Sequence, residues 1–264
     1  MKGGGFVLNL EIIKEYLAKA SRNIPKIVFF DETDSTNTRA REFARSRTDS
    51  DRSPVVFIAR SQTAGRGRRG RSFSSESGGI YMSVLTYPRE GCDPTSVTAF
   101  AAVVASRAIG RLSGAKVGIK WVNDLYIGNK KLAGILTEGE FDENGNLTYS
   151  VCGMGINVYK TAFTDDVLAI ATSLEAEGIM IDINLLASEI ITEFLAGYEH
   201  AVSEENLAEY KERSIVLGRD ITVIRGDESF IARAIRILPD YSLLVRRPDG
   251  TEVRVLSGEV STKI

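Results

Sequence analysis

Two tight-turn signals, Gly128-Asn129 and Asn144-Gly145, stand between runs of alternating apolar residues. A connection that short leaves its flanking strands one way to pair, adjacent and antiparallel, because a parallel pair needs a crossover of a dozen residues or more. The runs at 117–121, 124–127, 131–141 and 147–159 are therefore expected as neighbouring strands of one largely antiparallel sheet.

The rest of the chain arranges itself around that core. Leu10, Ile13 and Leu17 recur at helical spacing after the capping residue Asn9, so 9–20 reads as a short helix. A strand at 26–30 leads through Thr33-Asp34-Ser35-Thr36-Asn37 into a helix ending near 46. Strands at 55–60 and 80–87 flank a glycine–arginine loop. Asp93-Pro94 starts a long apolar helix to 112, with Gly114 as its stop. Asp182 opens a helix toward 198, and Ser203 caps another to about 213. From 215 the character changes to short strands at 220–224, 230–237, 242–245 and 252–256. They are punctuated by Gly226-Asp227, Pro239-Asp240 and Pro248-Asp249-Gly250, as in a small β-barrel. The expected fold is α+β, with a larger domain at 1–213 and a barrel at 214–264.

Several functions are disfavoured by what the chain lacks. No apolar run approaches the ~20 residues of a membrane span, and Met1-Lys2-Gly3-Gly4-Gly5 does not resemble a secretory signal, so a cytoplasmic protein is expected. Cys92 and Cys152 lie far apart without ligand-like spacing, and Cys152, in an apolar run, reads as a buried bystander. The one histidine, His200, follows a helical stretch and reads as a surface residue, which leaves neither a zinc site nor a serine–histidine triad to build. About twenty residues before the first strand leave no room for a DNA-reading winged helix.

Chemistry concentrates in four places. The run Gly65-Arg66-Gly67-Arg68-Arg69-Gly70-Arg71 packs four arginines and three glycines into seven positions of a chain with net charge −2. A general nucleic-acid surface raises the pI above ~9, whereas the sequence pI here is ≈ 5.7. Local positive charge on a turning backbone suits a small, dense anion, since arginine forks grip carboxylate and phosphate through paired hydrogen bonds. The second place is Lys120-Trp121-Val122-Asn123-Asp124-Leu125, whose polar groups could serve phosphate, hydroxyl and magnesium or form only a turn. The third, Lys130-Lys131-Leu132-Ala133-Gly134-Ile135-Leu136-Thr137-Glu138, sets small residues beside a lysine, so that a ligand can approach closely. The fourth, Gly153-Met154-Gly155-Ile156-Asn157-Val158, is a glycine-spaced strand ending in a polar residue.

Together these residues resemble the biotin–protein ligase (biotin–[acetyl-CoA-carboxylase] ligase) family. Its markers are a Ser-Thr-Asn triplet, the Gln-x-Ala-Gly-Arg-Gly-Arg-x-Gly-Arg loop, Lys-Trp-Pro-Asn-Asp, Lys-Leu-Ala-Gly-Ile-Leu and Gly-x-Asn, and all occur in order between 35 and 157. The resemblance implies a largely antiparallel sheet flanked by helices, like class II synthetases and lipoate ligases, with a C-terminal SH3-like barrel. It implies ATP and biotin as substrates, Mg2+ as cofactor and a biotin carboxyl carrier protein as acceptor. The form implied lacks an N-terminal DNA-binding domain; a homodimer is compatible with it, and neither DNA nor membrane is a partner.

Residue by residue, the resemblance implies that Ser35, Thr36, Asn37 and Gln62 line the biotin ureido end. Arg66, Gly67, Arg68 and Lys131 would hold the carboxylate and activated region, with Lys131, Arg68 and Lys120 as the catalytic cations. Arg69, Arg71, Lys120, Trp121, Asn123 and Asn157 would surround ATP, and Asp124 would help hold magnesium. Val122 stands where the family usually has proline, and Phe73 where tryptophan is common. The alternatives are a lipoate–protein ligase or octanoyltransferase and, in another class, a biotin-responsive DNA-binding repressor.

Overall fold

The turn signals produce the hairpins expected of them. In a computed structural model describing residues 7–20, 24–48, 50–87, 92–159, 169–226, 228–256 and 258–261, strands β1 (Lys26–Thr33), β2 (Val55–Gln62), β3 (Gly79–Thr86), β4 (Gly118–Lys120), β5 (Asp124–Ile127), β6 (Lys130–Phe141) and β7 (Leu147–Asn157) form one sheet. The order is β1-β2-β3-β7-β6-β5-β4. Every neighbouring pair is antiparallel except β1 and β2, which are joined through the helix α2 (Thr36–Ser46) and so run parallel. The glycine-rich start of the chain and Asp227 lie outside the described residues.

One face of this sheet is consumed by helices. Helix α3 (Pro94–Ser113) starts as its sequence requires. The Asp93 carboxylate accepts from the N–H groups of Thr95 and Ser96, the Ser96 hydroxyl accepts from Asp93 N–H, and Gly114 ends the helix at φ 75. It lies between the sheet and α4 (Ile183–Gly197), and is therefore buried on most of its circumference; Phe100 and Phe194 meet with ring centroids 5.6 Å apart. Helix α1 (Leu10–Ala20) packs on α4, and α5 (Glu204–Arg213) packs on α3.

Among the described residues, a helix covers the second face only at one end, where α2 lies on β2, β3 and β7 over Val55, Phe57, Leu85, Tyr149 and Val151. Beyond α2 the outward positions of β7 are Gly153, Gly155 and Asn157, and Gly134 of β6 pairs with Gly155. Their neighbours Cys152, Met154 and Ile156 belong to the helix-side core. Burial pushes the Cys152 thiol up to about 12, consistent with an inert core residue.

A second, five-stranded sheet closes the chain: β8 (Asp220–Arg225), β9 (Glu228–Ile237), β10 (Leu243–Arg246), β11 (Glu252–Val255) and β12 (Glu259–Ser261), in the order β11-β10-β9-β8-β12, all antiparallel. It fits an SH3-like module. β12 was not among the strands expected, because three residues are too few to show alternation; its pairing with β8 supplies what its own pattern cannot. Apolar packing runs unbroken from the large sheet into the small one. At the junction Tyr210 and Tyr241, both fully buried, meet edge to face at 5.4 Å. Tyr210 Oη donates to Val122 O (3.0 Å), Tyr241 Oη to Ala201 O (2.9 Å), and Trp121 Nε1 to Tyr241 O (2.8 Å). These bonds fix the turn that follows β4 from behind.

Candidate active site

A cavity opens on the sparsely covered face, over the glycines of β6 and β7. The glycines are required there. A Cβ on Gly153 would lie 2.0 Å from Asn37 Oδ1, and one on Gly155 2.5 Å from the Phe73 ring. The ring of Phe73 thus rests on a floor without side chains, edge-on to Tyr81 at 6.5 Å. This is where the residue replacing the family's tryptophan packs.

One end of the cavity carries hydroxyls and amides. Ser35 is the N-cap of α2 and, with Thr36 and Asn37, is buried. Gln62 Oε1 accepts from both Thr36 N–H (2.8 Å) and Thr36 Oγ1 (3.1 Å), while its Nε2 donates to Ser75 Oγ (2.8 Å). Ser83 Oγ donates to Asn37 Oδ1 (2.6 Å) and lies 2.7 Å from Thr36 Oγ1. The Asn37 Nδ2 group donates to Leu136 O (3.2 Å) and Glu138 Oε2 (3.0 Å), so acceptors on one side and a donor on the other set its orientation. Neither Ser83 nor Ser75 was among the residues singled out from the sequence. A serine in the middle of the apolar run of β3 is the signal that could have found Ser83, since a buried polar group needs a partner.

The other end is cationic. Arg66, Gly67 and Arg68 reach the cavity from the glycine–arginine loop, which is closed by hydrogen bonds from Gly67 N–H to Arg71 O (2.7 Å) and from Phe73 N–H to Gly65 O (2.8 Å). Arg68 donates to Asn123 Oδ1 (3.1 Å); Asn123 Nδ2 donates to Asp124 Oδ1 (3.0 Å) and Ile135 O (3.0 Å). Lys131 Nζ is paired with Asp124 Oδ1 at 2.7 Å. Burial lowers the pKa of the Arg68 guanidinium, with Asp124 opposing the shift. Burial likewise lowers that of the Lys120 ammonium, which donates to Tyr126 Oη (3.3 Å). Where burial disfavours the charged forms of two cations, an anion brought alongside favours them.

The remaining residues selected from the sequence are spread around this centre. Ser35, Thr36, Asn37, Gln62, Asn123 and Lys131 line the cavity together with the three loop residues above. Asp124 flanks it through its contacts with Lys131 and Asn123, and Lys120 is the partner of Asp124 across β4 and β5. Trp121 is buried behind the turn, and the Trp121–Val122 peptide is cis. Asn157 is buried, with Nδ2 donating to Thr172 O (3.0 Å); Thr172 N–H in turn donates to Lys131 O (2.9 Å). Arg69 and Arg71 turn away to the C-terminal sheet, Arg69 to Ile224 O (3.4 Å) and Arg71 to Glu259 (2.7 Å).

A metal cage made of protein ligands alone is absent among the described residues. Magnesium in nucleotide enzymes is held by one or two carboxylates plus substrate phosphates. Asp124 suits such a role, because both of its contacts engage Oδ1.

A glycine floor, a hydroxyl–amide end and a cationic end thus meet in one cavity. Residues 29–157 match the biotin/lipoate A/B protein ligase family. The chain is 31% identical over 237 residues to the bifunctional ligase/repressor BirA of Escherichia coli, covering 87% of this chain and 72% of that one. It is 32% identical over 240 residues to the biotin–[acetyl-CoA-carboxylase] ligase of Mycobacterium tuberculosis, covering 87% and 86%. Among solved structures, the biotin protein ligase from Aquifex aeolicus in complex with biotin and ATP shares the fold, with a TM-score of 0.74 at 24% identity over 90% of this chain and 98% of that one. The chain belongs to the biotin/lipoate A/B protein ligase family, on its biotin–protein ligase side.

Proposed function

We propose that this chain activates biotin with ATP to biotinyl-5′-AMP and then biotinylates a lysine of a biotin carboxyl carrier domain. The observation that carries this reading is one cavity with a hydrogen-bonding end, a bare glycine floor and a cationic end. The hydroxyl–amide end suits the ureido ring of biotin, and the cationic end suits its carboxylate and the nucleotide phosphates.

In the first step a biotin carboxylate oxygen bonds to the α-phosphorus of ATP, and pyrophosphate leaves. In the second the carrier lysine's amine attacks the anhydride carbonyl, an amide forms, the amine loses its proton and AMP departs. No enzyme nucleophile is required, which accords with a buried Cys152 and an exposed His200. Arg68 and Lys131 neutralise charge that builds on the phosphoryl and carboxyl oxygens, and Asn123 keeps Arg68 and Asp124 in register. Asp124 would hold magnesium, whose chemistry here is charge neutralisation on the phosphates. Lys120 and Asn157 would act around the nucleotide, Arg69 and Arg71 would do so only on leaving Ile224 O and Glu259, and Trp121 would serve by buttressing the turn that carries Asn123. The glycine–arginine loop shields the anhydride from water. Dependence on ATP accords with a cytoplasmic setting, and among the described residues no helix is long and apolar enough to cross a membrane.

Incubation with labelled biotin, ATP and magnesium tests the reading directly: biotinyl-adenylate accumulates. Parallel calorimetric titration with biotin and lipoate distinguishes the biotin ligase from its lipoate-handling relatives, and binding of lipoate alone would overturn the assignment.

A further inference from the structure

Glu138 ends the third sequence motif and has no part in the reaction as derived above, yet three side chains converge on it. Its carboxylate accepts from Asn37 Nδ2 (3.0 Å), pairs with Arg41 (3.1 Å), and takes both terminal nitrogens of Arg66, Nη1 at 3.1 Å and Nη2 at 2.9 Å. Two of those partners, Asn37 and Arg66, line the cavity. Glu138 itself is 19% exposed at the side chain, so it stands behind the wall.

We propose that Glu138 is a positioning residue that acts as a stand-in anion for Arg66, holding the guanidinium at the cavity until a substrate carboxylate takes over the contact. This rests on the acid-activating function proposed above. An end-on fork using both terminal nitrogens is the geometry a carboxylate substrate also seeks, so the two compete for one cation. A carboxylate abandoned by its only partner would oppose the exchange. Here Arg41 remains paired with Glu138, on α2, a separate element from the loop, so the exchange leaves no unpaired charge behind. Arg66 is 42% exposed at the side chain, accessible enough to change partners. Asn37, tied to the same carboxylate, couples the pairing to the hydroxyl–amide end of the cavity.

The consequence is a specific sensitivity to the substrate's charge. Ligands that share the ring but differ at the acid, biotin and biotinamide, report it as the ratio of their dissociation constants measured by calorimetry without ATP. Glu138→Gln keeps an acceptor for Asn37 but removes the competing charge. The preference for biotin over biotinamide then increases about two- to fivefold, the range for a partly exposed ion pair. Arg41→Gln leaves Glu138 dependent on Arg66, and the preference decreases by a similar factor. Opposite movements of the ratio are not produced by a general loss of packing, which would weaken both ligands alike. A ratio unchanged in both variants, or moved in the same direction, overturns the Glu138 proposal. Failure of the wild-type protein to bind biotin would overturn the functional reading itself.

Discussion

The two faces of the seven-stranded sheet are built from the same strands and treated in opposite ways. Along β7, Cys152, Met154 and Ile156 belong to the helix-covered core, while Gly153 and Gly155 line the cavity. The first face gains its stability from side-chain volume; the second gains its function from the lack of it. A strand presents alternate residues to opposite sides, so one segment can serve both purposes. The cost is that a one-residue slip would exchange them.

That contrast can be broken from either side. On the core face, Ile156→Ala removes a buried side chain and is expected to cost ~2–5 kcal/mol of stability. Its denaturant midpoint falls, while biotin affinity under conditions where the protein is folded stays near that of the parent. On the cavity face, Lys131→Ala is expected to slow adenylate formation by ~10²-fold, because a charge opposite the reacting oxygens acts in the transition state. Its thermal midpoint changes little, since the ammonium is only partly buried and makes one ion pair. Single-turnover measurement of biotinyl-adenylate checks it; a rate equal to the parent removes Lys131 from the chemistry.

Gly153→Ala sharpens the comparison further. The added methyl collides with the Asn37 amide, which Ser83, Leu136 and Glu138 hold in place. Displacing it breaks a buried hydrogen bond, a loss of ~1–3 kcal/mol, or roughly five- to hundredfold in biotin affinity. Calorimetric titration reads the result, and parent-like affinity would mean the floor yields. The smallest effect is expected for Asp124→Asn, which weakens an ion pair and a magnesium ligand together. It should raise the magnesium concentration for half-maximal adenylation about fivefold, while biotin binding without ATP is kept. A change in thermal midpoint with unchanged magnesium dependence would instead make Asp124 a turn residue.

Much of the molecule was legible because its determinants are local. Asp93-Pro94 and Gly114 bound α3, Asn144-Gly145 joins β6 to β7, and the glycine–arginine loop falls between β2 and β3, each through signals only a few residues long. The motifs also identified most of the cavity lining, since they bring their residues in short blocks. Ser83 escaped notice because a single serine in a largely apolar strand has no motif around it, and β12 because three residues carry no periodicity.

The primary structure on its own determined which strands neighbour one another across tight turns, where the helices start and stop, and which blocks carry charge. Tertiary structure alone decided who meets whom across long separations. Arg69 and Arg71, adjacent in motif to Arg68, turn to Ile224 and Glu259 instead of the cavity, and Glu138 collects Arg41 and Arg66 from two separate elements. Trp121 finds its acceptor at Tyr241, 120 positions away. The physical reason is range: backbone turns and caps are satisfied by neighbours within a few residues, whereas a long side chain's partner is whatever the packed fold brings within about 3 Å.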